Sequence, residues 1–161
     1  MTIQNKTKAA GAGLVLAGAA LLATITSHEG TRYTTYRDIV GVPTVCEGIT
    51  GKGVIMGKTY TRAECDALLA ERVQVAGKGV LACVHAPLNQ HQYDAFADLA
   101  YNIGVGGFCQ SSIAAQANAR NYTDACNRIM LYDKAGGVVV QGLVNRRKQE
   151  RDLCLKPMSA K

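Results

Sequence analysis

Residues 28–44 read HEGTRYTTYRDIVGVPT. The stretch opens on a carboxylate at Glu29, reaches a second at Asp38 in a glycine-flanked turn, and closes on the hydroxyl of Thr44. Directly before it runs AAGAGLVLAGAALLATIT, residues 9–26, without a single charge. Two carboxylates of different surroundings suit glycosidic-bond cleavage, in which an acid protonates the leaving oxygen and a second group activates water or attacks the anomeric carbon. Glu29 stands where the apolar segment meets the polar chain, Asp38 stands in an open turn, and Thr44 can hold a water. Glu47, three residues after Thr44, is a rival second carboxylate, and the chain has twelve acidic residues in all.

A chain of 161 residues is long enough for one compact domain with an appendage. Its net charge of +6 suits an acidic polymer: nucleic acid, anionic lipid or bacterial wall. No strand interleaves basic and aromatic residues and there is no Trp, so a nucleic-acid partner is not expected. A monomer is expected. Six cysteines stand at Cys46, Cys65, Cys83, Cys109, Cys126 and Cys154, none in a CxxC pair, and His28, His85 and His91 lie at no metal-ligand spacing from them. No metal and no cofactor are expected. Read as disulfides, the cysteines imply an oxidising compartment, but about fifteen pairings are open, and buried thiols are the alternative.

Residues 9–26 follow Lys6 and Lys8. Eighteen residues of helix span roughly 27 Å, near the roughly 30 Å of a bilayer core, and the lysines favour a cytoplasmic N-terminus with the remainder exported. Only Leu14, Val15, Leu16, Leu21, Leu22 and Ile25 are strongly apolar. Their insertion free energies sum to roughly −2 to −4 kcal/mol, a marginal anchor that can leave the membrane. A cleaved signal peptide is the other reading, although a clear A-x-A cleavage site is missing and the best candidate, Thr24 and Thr26 before Ser27, is poor.

Glycines at 30, 41, 48, 51, 53 and 57 punctuate strand-like pieces, which predicts a small twisted sheet or hairpin pair. TRAE at 61–64 predicts a capping box and a helix running to about Gly77. Asn89 caps a second helix that presents Tyr93, Phe96, Ala97 and Ala100 on one face and ends at the glycines 104, 106 and 107. Shorter helices are expected near 110–119 and 123–132, and a last one after Gly142. The charges of that last helix, Arg146, Arg147, Lys148, Glu150 and Arg151, are expected to be solvated, and no linker is expected except at residues 26–28.

The spacing of Glu29, Asp38 and Thr44 resembles the catalytic pattern of phage-type lysozymes, glycoside hydrolase family 24. EGTRYTTYRD, GITG at 48–51, YNIGVGGF and NRRKQER extend the resemblance over about residues 28–155. It implies an α+β, mainly α fold, with a small β-sheet region near the N-terminus and a helical lobe, preceded by an N-terminal apolar helix. It implies a muramidase that cuts the β-1,4 bond between N-acetylmuramic acid and N-acetylglucosamine in peptidoglycan, so that the host cell lyses. Glu29 inherits the general-acid role, Asp38 charge stabilisation or water activation, and Thr44 water positioning. Arg146 resembles the arginine that pairs with the catalytic glutamate, and Asn102 a residue that contacts the glycan. The resemblance also suggests the disulfides Cys46 to Cys65, Cys83 to Cys109 and Cys126 to Cys154. Ile49 stands where the family turn usually has histidine, which implies a lost polar contact without lost activity, and Pro43 fixes the backbone before Thr44.

An Ala/Gly-rich anchor before this pattern resembles signal-anchor-release endolysins. Residues 1–27 then form the anchor and residues 28–161 the catalytic domain, tethered inactive at the inner membrane and freed into the periplasm. No cysteine lies in residues 9–26, so thiol exchange from the anchor is unavailable. The alternatives are a lytic transglycosylase, which forms an anhydro product, a catalytically inactive, membrane-tethered peptidoglycan-binding module, and a membrane-lesion protein acting through residues 9–26.

Overall fold

A computed structural model describes residues 19–158. Residues 9–18 of the expected membrane segment lie outside that range, and among the described residues no helix is long and apolar enough to cross a membrane. The remainder of the segment enters helix α1, Ala19–Glu29, which runs without a break across residues 26–28 where a linker was expected. Leu21 and Ile25, one helical turn apart, are buried there, so part of the apolar run belongs to the folded core.

Gly30 at φ +68° turns the chain from α1 into a three-stranded antiparallel sheet of β1 (Arg32–Arg37), β2 (Pro43–Cys46) and β3 (Ile49–Thr50). Tyr36 pairs with Thr44 and Val45 with Ile49, and the register shifts between Arg32 and Tyr36. Ile49 is buried in the core. The turn after it is held by Arg72, whose guanidinium donates to the carbonyls of Thr50 (3.1 Å) and Lys52 (2.6 Å).

Helix α2 (Arg62–Cys83) opens on the expected capping box of Thr61 and Glu64. It continues six residues beyond Gly77, because that glycine serves packing and not termination. A Cβ at Gly77 would lie 1.9 Å from the Tyr93 hydroxyl, and one at Gly79 would lie 2.4 Å from Val105 Cγ1. Their bareness lets α3 (Gln90–Ile103), capped by Asn89 and Gln92, lie close against α2. Gly104 at φ +89° ends α3, and a short α4 (Val105–Cys109) follows instead of a loop. Then come α5 (Ser112–Asn118), α6 (Tyr122–Arg128), a 3-10 turn (Ile129–Leu131), an unforeseen hairpin of β4 (Lys134–Ala135) and β5 (Val138–Val139), and α7 (Gln141–Leu155).

Two apolar clusters result. Phe96, Leu99, Phe108, Ile113 and Ile129 form the core of the helical lobe, while Leu21, Ile25, Val45, Ile49, Leu69, Val73 and Tyr93 join α1 and the sheet to α2 and α3. Helices α2 and α3 supply both clusters and so set the two lobes against each other. The cysteines pair as the resemblance implied, Cys46–Cys65, Cys83–Cys109 and Cys126–Cys154, with Cα separations of 5.4, 5.6 and 5.6 Å. Each closes a loop worth about 3 kcal/mol of unfolded-chain entropy, and none reaches α1.

Gly77→Ala tests the packing role. An exposed helical site would gain about 1 kcal/mol from this change. Here the methyl meets the Tyr93 ring, and urea denaturation should instead show a loss of about 1–3 kcal/mol. A raised midpoint would mean that Gly77 is an ordinary helical glycine.

Candidate active site

A cleft of about 400 Å³ opens between the lobes. Glu29, Glu47 and Thr50 line one side, Arg72 and Ala76 of α2 and Tyr101 and Asn102 of α3 the other. Glu29 is the last residue of α1, with 23% of its side chain exposed. Its Oε1 accepts from Arg146 Nη1, and its Oε2 lies toward Gly48, 3.8 Å from where a Cβ on that residue would stand, an ordinary contact distance.

Arg146 comes from α7 and its side chain is only 6% exposed. Besides Glu29, it donates from Nη2 to Asp98 Oδ1 at 2.6 Å and from Nε to Glu150 Oε1 at 3.3 Å. Arg147, wholly buried, sets Nε 2.8 Å from Glu150 Oε2, and its Nη2 donates to Glu150 Oε1 at 2.9 Å and to Asn102 Oδ1 at 3.0 Å. The helix expected to display solvated charges therefore turns Arg146, Arg147 and Glu150 inward, a correction that follows from the carboxylates they meet there, Glu29 at the end of α1 and the buried Asp98 of α3. Burial opposes the charge of Arg146, but Asp98 and Glu29 outweigh it and hold its pKa above the usual arginine value. Burial lowers that of Arg147. Burial, and next the charge of Asp98, push the Glu150 carboxyl up to about 8 against the pull of both arginines.

His28 completes the cluster, with Nε2 3.8 Å from Asp98 Oδ2. Burial lowers its pKa below 6.5, although Asp98 opposes the shift. Asn102, exposed at the cleft, has its amide oxygen fixed by Arg147. Glu29, Arg146 and Asn102 are thus brought into one connected site.

Asp38 and Thr44 lie in the β1–β2 hairpin, outside the lining of this cleft. Asp38 Oδ1 accepts from the backbone N–H of Val40 (2.9 Å) and Val42 (2.8 Å), which fixes the turn. Thr44 is buried and donates its hydroxyl to Val42 O at 2.9 Å, keeping its oxygen lone pairs as acceptors. Glu47 does line the cleft and is fully buried. Its neighbours Cys46 and Cys65 spend their sulfurs on a disulfide, so this trio offers no thiolate to a metal.

Sequence reasoning passed over Asp98, His28, Arg147 and Glu150 as site residues. For Asp98 a signal existed in the chain: it stands inside the apolar run AFADLA, residues 95–100, which the structure buries, and a charge inside such a run needs a partner.

The described conformation predicts a pH effect. The unfolded chain binds a proton at His28 near pH 6.5 that the native state refuses, so this group's share of stability falls as pH drops through 6.5. Glu150 acts oppositely, since the native state keeps its proton up to about 8, and stability declines with rising pH between 4.5 and that value. His28→Gln leaves Glu150 in place. The midpoint of the variant should therefore gain on that of the wild type as pH is lowered from 7.5 to 5, and parallel curves would contradict the assignment.

A family model for phage lysozyme matches residues 26–150. The chain is similar to the SAR-endolysin of Enterobacteria phage P21, with 39% identity over 79% of this chain and 77% of the relative. It is also similar to the SAR-endolysin of Bacteriophage PS119, with 36% identity over 95% and 94%. Among solved structures it resembles a crystal structure of a P22 lysozyme variant, with a TM-score of 0.79 and 33% identity, covering 89% of this chain and 100% of that one.

Proposed function

The chain belongs to the phage lysozyme family, and from that premise we propose that it hydrolyses the β-1,4 bond between N-acetylmuramic acid and N-acetylglucosamine in peptidoglycan, with Glu29 as the proton donor. The observation that carries this reading is Glu29 in the wall of a cleft, one oxygen held by Arg146 and the other directed toward Gly48. In the proposed reaction, Oε2 delivers a proton to the glycosidic oxygen as the bond to the anomeric carbon breaks. Positive charge develops on the sugar. Asp38 stabilises that charge or takes a proton from the incoming water, with Thr44 accepting a hydrogen bond from the same water. Both backbone bonds to Asp38 fall on Oδ1, which supports Oδ2 as its reacting oxygen. Arg146 keeps Glu29 aimed, and Asn102 offers its amide N–H groups to the glycan.

The test is digestion of purified peptidoglycan by the full-length chain and by Glu29→Gln, with the released muropeptides identified by mass spectrometry. Reducing N-acetylmuramic ends are expected from the wild type. Their release should fall at least about a hundredfold in the variant, the scale of a lost general acid. Anhydro ends would replace hydrolysis by transglycosylation, and equal release by both proteins would remove Glu29 from the chemistry.

The proposal extends to where the enzyme waits. Residues 9–26 hold the chain in the inner membrane in an inactive form, and release into the periplasm lets α1 dock and bring Glu29 to the cleft. The uncharged segment and the similarity to PS119 SAR-endolysin across 95% of the chain support this. So do the three disulfides, all of which leave α1 uncrosslinked. Replacing Gly11, Gly13 and Gly18 by Leu strengthens the anchor by about 1–2 kcal/mol or more. The variant should stay in the membrane fraction and lyse cells later than the wild type; prompt lysis from the membrane-held form would refute inhibition by tethering.

A further inference from the structure

Glu47 is the unexplained group of the cleft. It is completely buried, and no ion pair to it exists among the described residues. Its Oε1 accepts the hydroxyl of Thr31 at 2.8 Å, while Oε2 has no hydrogen-bond partner there. An isolated buried carboxylate costs free energy that an apolar side chain would not. What it holds is therefore informative: Thr31 lies two residues after Glu29, at the point where the chain leaves α1 through Gly30.

We infer that Glu47 is a positioning residue for Glu29, acting as a clamp that closes on Thr31 and fixes the exit of α1. The post that carries the clamp is rigid on both sides. Cys46, at φ +56°, is disulfide-bonded to Cys65 of α2, and the carbonyl of Glu47 accepts the Tyr101 hydroxyl of α3 at 3.0 Å. Gly48, the next residue, faces Glu29 Oε2. A line of contacts thus runs from the two central helices through the 46–48 turn to Thr31 and on to Glu29. Arg146 fixes the carboxylate from the side of α7, and Glu47 fixes its backbone from the side of the sheet. Two independent restraints define an orientation that either one leaves free to swing.

This inference rests on Glu29 being the proton donor, and the experiment separates the two ideas. Full-length Glu47→Leu, Glu47→Gln, Thr31→Val and the Glu47→Leu/Thr31→Val double variant are compared with wild type for kcat and KM on purified peptidoglycan, for thermal midpoint, and for amide exchange at residues 30–32. Misaim of a catalytic group slows the chemical step, so Glu47→Leu and Thr31→Val should each lower kcat by about tenfold or more with KM within about twofold. The double variant should be no slower than the singles, because both remove the same bond. Glu47→Gln keeps an acceptor for Thr31 and should recover most of the rate. Exchange at residues 30–32 should quicken in both single variants while the thermal midpoint of Glu47→Leu holds or rises, a split that a purely structural role would not produce. Wild-type kcat and exchange in either single variant, or losses that multiply in the double, would overturn the clamp. If Glu47→Leu does not fold, Thr31→Val decides on the same readouts. A wild-type chain that leaves peptidoglycan intact would sink the muramidase reading, and the exchange rates would then judge the clamp alone.

Discussion

The guanidinium of Arg146 is the point on which the site depends. One side chain from α7 meets Glu29 at the end of α1, Asp98 in the middle of α3 and Glu150 one turn along its own helix. A planar fork of donors can serve three acceptors where an ammonium would serve them as a point charge. The arrangement carries three carboxylates against the two guanidiniums of Arg146 and Arg147, an imbalance that burial makes expensive. The upward shift of Glu150, caused by burial and by the charge of Asp98, runs in the direction that lessens the imbalance. Charge balance, and not only shape, thereby holds α1, α3 and α7 in register.

Around that centre the lobes are joined by α2 and α3, and the glycines of α2 explain how closely. Gly77 and Gly79 give up helix propensity so that Tyr93 and Val105 can approach. The side of the cleft formed by Ala76, Ala100 and Tyr101 is carried by these two closely packed helices. The catalytic reading therefore owes as much to two bare positions in a helix as to the acidic residues above them.

These glycines also show where sequence reasoning reaches its limit. The α+β class, the Thr61–Glu64 capping box, the Asn89 cap and the order of the main helices were legible because caps and periodicity are local signals, whereas Arg146 and Asn102 were singled out beside Glu29 only through the family resemblance. The end of α2 was not, since a glycine that terminates a helix and one that admits a neighbour look alike until the neighbour is in place. The inward turn of Arg147 and Glu150 failed for a related reason. Their i,i+3 spacing is also that of a solvated surface pair, and only the carboxylates brought by other elements decide between the two. Asp38 and Thr44 stand differently again. Their spacing from Glu29 is plain in the chain, yet their distance from the cleft depends on how the 38–42 turn is carried by its own backbone hydrogen bonds.

Helix α1 is where the structural and functional arguments meet. Leu21 and Ile25 gain about 1.5–3 kcal/mol each by burial against the domain. The same two residues belong to the proposed anchor, whose whole insertion is worth only roughly 2–4 kcal/mol. Neither resting place dominates by much, and the two exclude each other, because a side chain in the bilayer is absent from the core. The disulfides bear on this competition because all three crosslink within residues 46–154 and none ties α1 to the domain. In the proposed tethered state the domain waits with α1, and with it Glu29, undocked. On the proposed release, docking of one eleven-residue helix would supply both Leu21 and Ile25 to the core and the carboxylate that Arg146 holds in the docked structure.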